Sequence, residues 1–264
     1  MSEEQPANSL DLGETRLHEL QRHAFDYFLN ETNPANGLIA DSSRPGSPAS
    51  IASVGFALAA YPVGVERGWM TRKDAVGRTL TLMRFLWNSV QGTAPDATGY
   101  KGFYYHFLDM ATGRRANLCE LSTVDTSFLL AGMLTAASFF SREDEDERQI
   151  RQLTDALYQR ADWRWACDRG ATVTHGWSPE KGFLPYRWEG YDEALLLYVL
   201  GLGSPTHPLP TESYAAWAST YQWKEIYGHA FLYGAHSPVF PLLGGFSRHP
   251  GCIHARQRHR LLRK

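Results

Sequence analysis

Acidic side chains stand among aromatic rings at two places in this sequence. Glu193 follows a stretch of large rings and turn residues over 176–192, and Glu120 and Asp125 stand five positions apart at the start of an apolar run. Two carboxyl groups that flank a glycosidic bond can act as an acid and as a base or nucleophile. Pockets for small molecules are commonly lined by aromatic side chains. Glu193, Asp125 and Glu120 are therefore the carboxyl groups that could supply this chemistry.

Helix-start chemistry offers a structural alternative for two of these acids. Ser122 followed by Asp125 matches the S-x-x-D/E capping pattern. We expect Glu193 in the first turn of the helix that follows it, where the helix dipole alone would lower the pKa of its carboxyl. A general acid needs a raised pKa, so Trp188 and Tyr191 would have to desolvate Glu193 enough to outweigh the dipole.

Rings, imidazoles and hydrogen-bonding side chains beside Gly or Pro are candidates for contact with a sugar. Several have a structural alternative, since aromatic residues over 102–108 favour a β-hairpin, Asp41 suits a turn, and Arg187 can form an ion pair instead of stacking on its neighbours. His207 can instead order a loop, and His229 can be a core histidine. The candidate substrate-binding residues are Tyr104, Tyr105, His106, Trp177, Arg187, Trp188, Tyr191, His207, His229 and Asp41.

Nearly all of the elements that must position these residues are predicted to be helices. Apolar periodicity and end signals predict helices over 14–31, 50–67, 72–90, 122–140, 142–165 and 192–202, with a weaker one over 213–227. Polar-faced helices alternate with almost wholly apolar ones, and no βαβ alternation occurs. The fold class is therefore all-α, an (α/α)6 toroid with a small β-hairpin insertion over 102–115. About seven of about a dozen helices are recognised, so we expect an incomplete ring.

The composition of the chain limits the classes of partner that it is expected to bind. A net charge of -2 excludes the basic surface that nucleic acid or anionic lipid requires. No apolar stretch reaches the length of a membrane-spanning helix, and the first 20 residues lack the apolar core of a signal peptide, so we expect a soluble, cytoplasmic monomer. The three cysteines are widely spaced, and no metal or cofactor is expected. The expected partner is an oligo- or polysaccharide.

Five segments resemble the putative glucoamylase-like family, which includes bacterial endo-β-1,2-glucanases and the glycan-processing domain of cyclic β-1,2-glucan synthases. They are 102–115, 120–126, 177–193, 203–208 and 227–229. The resemblance implies a toroid with a central pocket and hydrolysis or transfer of glucosyl linkages by Glu193, Asp125 and Glu120, with β-1,2-glucan favoured as substrate. Other α/α toroids, such as terpene or peptide cyclases, are disfavoured because their metal-binding motifs are absent.

The end of the chain departs from the family pattern. We expect a flexible N-terminus over 1–13, a partial toroid over 14–233, and an aberrant tail over 234–264 that is aperiodic and ends in a basic run. A shifted reading frame within 238–263 would spell a more family-like segment; the alternative is a genuinely divergent tail. An incomplete ring would expose apolar helix faces. The alternative function is therefore a catalytically impaired fragment that only binds carbohydrate.

Overall fold

The structure, a computed structural model, describes residues 9–233 of the chain. Within this range, helices form at all the strongly periodic segments. They are α1 Ser9–Asn30, α2 Ile51–Glu66, α3 Arg72–Asn88, α4 Thr123–Phe139, α5 Glu145–Arg160, α6 Trp163–Ala166, α7 Leu195–Leu202 and α8 Ser213–Ala218. The prediction of a mainly helical chain is confirmed. Helix α1 begins five residues before the predicted start, and residues 1–8 and 234–264 lie outside the described range.

The apolar helices α2 and α4 pack with their backbones almost in contact. A Cβ atom at Gly55 of α2 would lie 2.3 Å from the carbonyl oxygen of Phe128, and one at Gly132 of α4 would lie 2.0 Å from the carbonyl oxygen of Gly55. Only glycine allows this approach. Because α4 carries Asp125 in its first turn, this packing also fixes the position of a candidate catalytic residue.

The amphipathic helices α3 and α5 begin at side-chain caps and are joined by a buried ion pair. The hydroxyl of Thr71 accepts the backbone N–H of Asp74, and the carboxylate of Asp144 accepts that of Glu147. The guanidinium of Arg72 lies 2.6 Å from the Glu147 carboxylate, whose side chain is only 2% exposed. The amphipathic helices α3 and α5 alternate along the chain with the apolar helices α2 and α4, as predicted.

The sheet structure is larger than the predicted hairpin. The strands are β1 Ala49–Ser50, β2 Gly99–Tyr100, β3 Phe103–Tyr105, β4 Phe107–Leu108, β5 Leu121–Ser122, β6 Gly176–Ser178, β7 Gly182–Phe183, β8 Gln222–Ile226 and β9 His229–Tyr233. One five-stranded antiparallel sheet has the order β2-β3-β5-β6-β7, and β1 pairs with β4 and β8 with β9. Strand β5 therefore joins the two aromatic segments that the sequence left apart.

Three predicted helix boundaries are wrong. Helix α7 begins at Leu195 with Ala194 as its N-cap, so Glu193 precedes the helix and does not lie in its first turn. The helix predicted over 142–165 breaks after Arg160 and resumes as the short α6, whose start is capped by Asp162. The helix predicted over 213–227 ends at Ala218, and β8 follows.

No helix within 9–233 is both long enough and apolar enough to cross a membrane.

Candidate active site

An imidazole lies between two of the predicted catalytic acids. Nδ1 of His106 is 2.9 Å from Oε1 of Glu120, and its Nε2 is 3.6 Å from Oδ2 of Asp125. The backbone N–H of His106 also donates to the carbonyl of Glu120 at 2.9 Å. The pairing of β3 with β5 therefore brings together two segments that the sequence analysis treated separately.

Asp125 caps a helix and faces the imidazole at the same time. The Ser122 hydroxyl accepts the backbone N–H of Asp125 at 3.2 Å and donates to its Oδ2 at 2.5 Å, so the predicted capping pair forms. Burial raises the pKa of the Asp125 carboxyl, and the positive charge of His106 and the Ser122 hydrogen bond oppose that rise. Asp125 is therefore a desolvated carboxyl whose orientation is set by the start of α4.

Glu193 has a pKa suited to proton transfer near neutral pH. Its pKa is raised to about 7, first because burial penalises the carboxylate and then because the charges of Asp125 and Asp192 disfavour another negative charge, while His106 opposes the rise. Among the described residues, no hydrogen bond or ion pair to the Glu193 carboxyl is found. Since Glu193 precedes α7, the expected lowering by the helix dipole does not decide its pKa.

Asp192 anchors the segment that carries Glu193. Its carboxylate accepts the backbone N–H of Ala194 at 3.0 Å and the indole N–H of Trp217 at 3.1 Å. Burial raises the pKa of Asp192 to about 6, against these two hydrogen bonds. The sequence analysis did not single out Asp192. The signal available was an acid two positions before the N-cap residue of a helix, which is typical of local capping.

Glu120 differs from the other two acids because its pKa is lowered. Burial alone would raise the pKa, but the hydrogen bond from His106 and the positive charges of His106 and Arg115 outweigh that effect. Asp41 is exposed, and its negative charge acts on both His106 and Asp125, so it lies at the edge of this cluster. The structure therefore brings Glu193, Asp125, Glu120, His106 and Asp41 into one electrostatic neighbourhood.

Trp188 is fixed beside the start of α4. Its ring stacks on His175 with centroids 3.8 Å apart, and its indole N–H donates to the hydroxyl of Thr123 at 3.1 Å. Burial lowers the pKa of His175. The sequence analysis missed His175, whose only signal is its position directly before the Gly176–Trp177 pair. Trp188 thus joins the acid cluster through Thr123, two residues from Asp125.

Trp177 belongs to a group of aromatic rings on the other face of the sheet. Directly paired residues share a face, and side chains alternate along a strand. Trp177 pairs with Leu121, which also pairs with Tyr105, so these three side chains face away from His106 and Glu120. Tyr105 is buried under the Arg115 guanidinium, which lies 4.6 Å from its ring, and burial raises the pKa of Tyr105 to about 12. The Trp177 ring contacts Tyr100 and Trp165.

Three predicted substrate contacts are placed elsewhere. Tyr104 is buried, and its hydroxyl bonds the Arg160 guanidinium and the carbonyl of Leu86. Arg187 donates to two backbone carbonyls, those of Cys167 and Thr172, and so holds the loop between them. His207 is exposed beyond the C-terminal end of α7, opposite to the end where Glu193 lies. These placements favour structural roles.

Two further residues, Tyr191 and His229, remain predicted substrate contacts. The ring of Tyr191 meets that of Tyr221 edge-on at 6.0 Å. His229 is the first residue of β9, and its backbone pairs with Ile226. Across residues 9–233, no group of three or more His, Cys, Asp or Glu side chains is arranged to hold a metal ion.

Comparison with known proteins gives matches in sequence and in structure. Residues 185–244 match the family model described as Putative glucoamylase. The chain is 31% identical over 228 residues to the exo beta-1,2-glucooligosaccharide sophorohydrolase (non-reducing end) of Parabacteroides distasonis, a match that covers 81% of this chain and 30% of the relative.

Solved structures share the fold. A putative glucoamylase from Bacteroides uniformis superposes with a TM-score of 0.76 at 27% identity, covering 88% of this chain and 56% of that one. The endo-beta-1,2-glucanase of Chitinophaga pinensis, solved with sophorotriose and glucose, superposes with a TM-score of 0.75 at 24% identity, covering 87% and 58%. The chain thus spans 30% of the curated relative's length and 56% to 58% of these two solved chains. The resemblance to the glucoamylase-like family, which the sequence motifs predicted, is confirmed.

Proposed function

We propose that this chain is a glycoside hydrolase domain acting on β-1,2-linked glucan, with Glu193 as the general acid. The observation that carries the proposal is the half-buried Glu193 carboxyl, with a pKa of about 7 and the negative charge of Asp125 close by. A carboxyl with that pKa is still about half protonated at neutral pH, where an ordinary glutamic acid has lost its proton. It can therefore donate to the leaving glycosidic oxygen.

Asp125 and Glu120 are proposed to assist the attacking water or to stabilise the sugar, and not to protonate the leaving group. A carboxylate that stays ionised can take a proton from water as the water attacks the anomeric carbon, or can stabilise the positive charge that develops on the sugar ring. Glu120 fits the ionised role because its pKa is lowered. Asp125, whose pKa is raised by burial, lies on the opposite side of the same imidazole and is proposed to support the water or the substrate. The rings of Trp188 and Tyr191, with Asp41 at the edge, are proposed to contact the sugar.

The substrate class follows from the relatives together with the site. The curated relative is named for release of sophorose units from β-1,2-gluco-oligosaccharides, and one solved neighbour carries sophorotriose. The carboxyl cluster described above is the kind of site that such chemistry needs. We therefore favour a β-1,2-linked gluco-oligosaccharide over starch.

A second candidate function is carbohydrate binding without efficient turnover. The apolar helices α2 and α7 leave large apolar side chains uncovered in the described range, with Val63 of α2 48% exposed and Val199 of α7 56% exposed. We propose that residues 14–233 form part of an (α/α)6 toroid. An open ring would admit water to the site and weaken the electrostatic effects on which acid catalysis depends.

The deciding experiment measures turnover and binding separately. Purified protein is incubated with linear β-1,2-glucan and with starch, and the products are quantified for the wild type, Glu193→Gln and Glu189→Gln. The last variant is a matched control, because Glu189 is an exposed acid in the same segment. We expect turnover of β-1,2-glucan in the wild type and the control, and a loss of at least about 100-fold in Glu193→Gln.

Other outcomes discriminate between the candidates. Turnover that survives in Glu193→Gln would remove Glu193 as the acid. A folded wild-type protein that binds β-1,2-gluco-oligosaccharide in calorimetry but hydrolyses neither glucan would favour the binding-only function. Turnover of starch alone would reject the linkage.

A further inference from the structure

We propose that His106 is a positioning residue that bonds Glu120 through one ring nitrogen and faces Asp125 with the other, and so fixes the orientation of Glu120 and places one shared positive charge between the two carboxyl groups. The catalytic consequence rests on the proposed function. The contacts themselves can be tested without any turnover.

The ring of His106 is held in place from several directions. Its plane stacks on the ring of Phe107, with centroids 4.0 Å apart and 13° between the planes. Its backbone N–H donates to the Glu120 carbonyl at 2.9 Å, and its own carbonyl accepts the N–H of Ile51 at 3.1 Å. With the backbone bonded on both sides and the ring plane fixed, the two nitrogens point in defined directions. Glu120 and Asp125 lie in those directions, at 2.9 and 3.6 Å.

Serving both carboxylates requires the imidazolium form. A neutral imidazole has one N–H donor and one acceptor nitrogen, so it can donate to only one carboxylate and turns a lone pair toward the other. An imidazolium donates from both nitrogens. The 3.6 Å contact with Asp125 is an ion pair at the present distance and not a short hydrogen bond. A modest movement of Asp125 would convert it into one.

The charges around His106 favour the imidazolium. Acidic residues face it from separate segments: Glu120 next to β5, Asp125 in α4, Asp41 in the loop before α2, and Glu193 before α7. Burial acts in the other direction and lowers the pKa of the imidazole. The acids outweigh burial, so the net pKa of His106 is raised above its ordinary value.

This arrangement separates the roles of the three acids. Glu120 and Asp125 share the positive charge of His106, whereas no hydrogen bond or ion pair to Glu193 is found among the described residues. Glu120 therefore ionises more readily, and Glu193 retains its proton to higher pH. His106 is a positioning residue in this proposal because it acts on the sugar only through the carboxylates that it holds.

The first test follows the His106 ring by NMR as the pH is raised, in protein with labelled histidine. The wild type is compared with Glu120→Gln, Asp125→Asn and the remote control Glu189→Gln, with His106→Gln used to assign the signal. We expect the wild-type ring to titrate above the ordinary pKa of histidine. Glu120→Gln and Asp125→Asn should each lower that pKa, and Glu189→Gln should leave it unchanged.

The second test measures kcat and KM of His106→Gln against pH on β-1,2-glucan. We expect kcat to fall by roughly tenfold or more, with a smaller change in KM. The low-pH limb should move to higher pH, because Glu120 loses the positive charge that keeps it ionised. His106→Lys, which restores a charge on one side only, should recover part of the kcat. If His106 had only a structural role, kcat would fall by the same factor at every pH, and the low-pH limb of the profile would not move.

The two tests separate this proposal from the proposed function. The NMR titration requires no activity, so an ordinary His106 pKa that ignores Glu120→Gln and Asp125→Asn overturns the positioning role even in an active enzyme. A raised, carboxylate-dependent pKa in a protein without turnover supports the contacts and rejects the proposed hydrolase function. An unshifted limb in an active His106→Gln variant also overturns the role. If His106→Gln does not fold, the NMR titration decides alone, and a His106 pKa that both Glu120→Gln and Asp125→Asn leave unchanged overturns the role.

Discussion

The hydroxyl of Ser122 donates a hydrogen bond of 2.5 Å to Oδ2 of Asp125, the same oxygen that lies 3.6 Å from the His106 ring. Helix capping and site chemistry are therefore not alternatives for Asp125, because the cap is the device that orients the carboxyl. The pattern Ser122–Asp125 predicted the start of α4, and the pairing of β3 with β5 supplied the imidazole.

Ser122→Ala should remove both the helix cap and the hydrogen bond that orients the Asp125 carboxyl. We expect a loss of about 1 kcal/mol in the free energy of unfolding, because the N-cap bond to the start of α4 is lost. We also expect lower turnover, since Asp125 loses its fixed donor. Urea unfolding and kcat are the measurements. Thr71→Ala removes the equivalent cap of α3 and is the matched control.

Both variants should lose similar stability, but only Ser122→Ala should lose activity. Equal activity in the two variants would show that the Ser122 hydroxyl does not position Asp125 for the reaction.

Much of this fold follows from the sequence, and the reasons for the misses are physical. The helices over 51–66, 72–88 and 123–139 were predicted because their apolar periodicity extends over several turns. All five strands of the five-stranded sheet are two or three residues long, too short for a period of two to be recognised. Their pairing is set by tertiary packing.

In the candidate site, too, the residue types could be predicted from the sequence, whereas their contacts could not. The acids were found by residue type, but their grouping depends on strand register. The contact of His106 with Glu120 could not be predicted from positions 14 residues apart. The sequence predicted Glu193 in the first turn of its helix, but α7 starts later. The Asp192 carboxylate accepts the backbone N–H of Ala194, and the helix begins only after that residue.

Burial of Glu193 should make its replacement stabilising at alkaline pH. Its folded-state pKa of about 7 is higher than its ordinary value of 4.5, so the stability it contributes is complete below the unfolded pKa and is lost as the pH rises through about 7. Glu193→Gln removes that loss. We expect the variant to be more stable than the wild type by on the order of 2 kcal/mol at pH 8, with little difference at pH 4.

Urea unfolding at both pH values checks this expectation, with Glu189→Gln as the exposed control. A wild type and a Glu193→Gln variant whose stabilities run parallel from pH 4 to pH 8 would contradict the raised pKa of Glu193, and with it the assignment of this residue as the acid.

Two glycine-to-alanine substitutions should have opposite effects on stability, because Gly55 lies in the close contact between α2 and α4 and Gly77 lies in open space on α3. Gly55→Ala places a Cβ atom 2.3 Å from the carbonyl oxygen of Phe128, so the helices must separate. We expect a loss of about 2 kcal/mol or more. Gly77→Ala lies within α3 with no atom within 4 Å of its new Cβ, and should stabilise the chain by about 0.5–1 kcal/mol.

Thermal and urea unfolding of the two variants would measure these effects side by side. A neutral Gly55→Ala would mean that α2 and α4 are farther apart than described, which would also displace Asp125.

The ion pair between Arg72 and Glu147 should carry a large share of the stability of the α3–α5 pair. The pKa of Glu147 is lowered, chiefly by its hydrogen bond with Arg72, so its contribution is present above the unfolded pKa near 4.5 and is lost as the pH falls. Glu147→Gln leaves Arg72 without its partner, and we expect a loss of about 3 kcal/mol at pH 7 that shrinks toward pH 3. Glu145→Gln breaks an exposed pair with Arg148 on the same helix and should cost less than about 0.5 kcal/mol. A Glu147→Gln variant that loses no more than Glu145→Gln would show that the pair is solvated, and that α3 and α5 are held together by their apolar contacts alone.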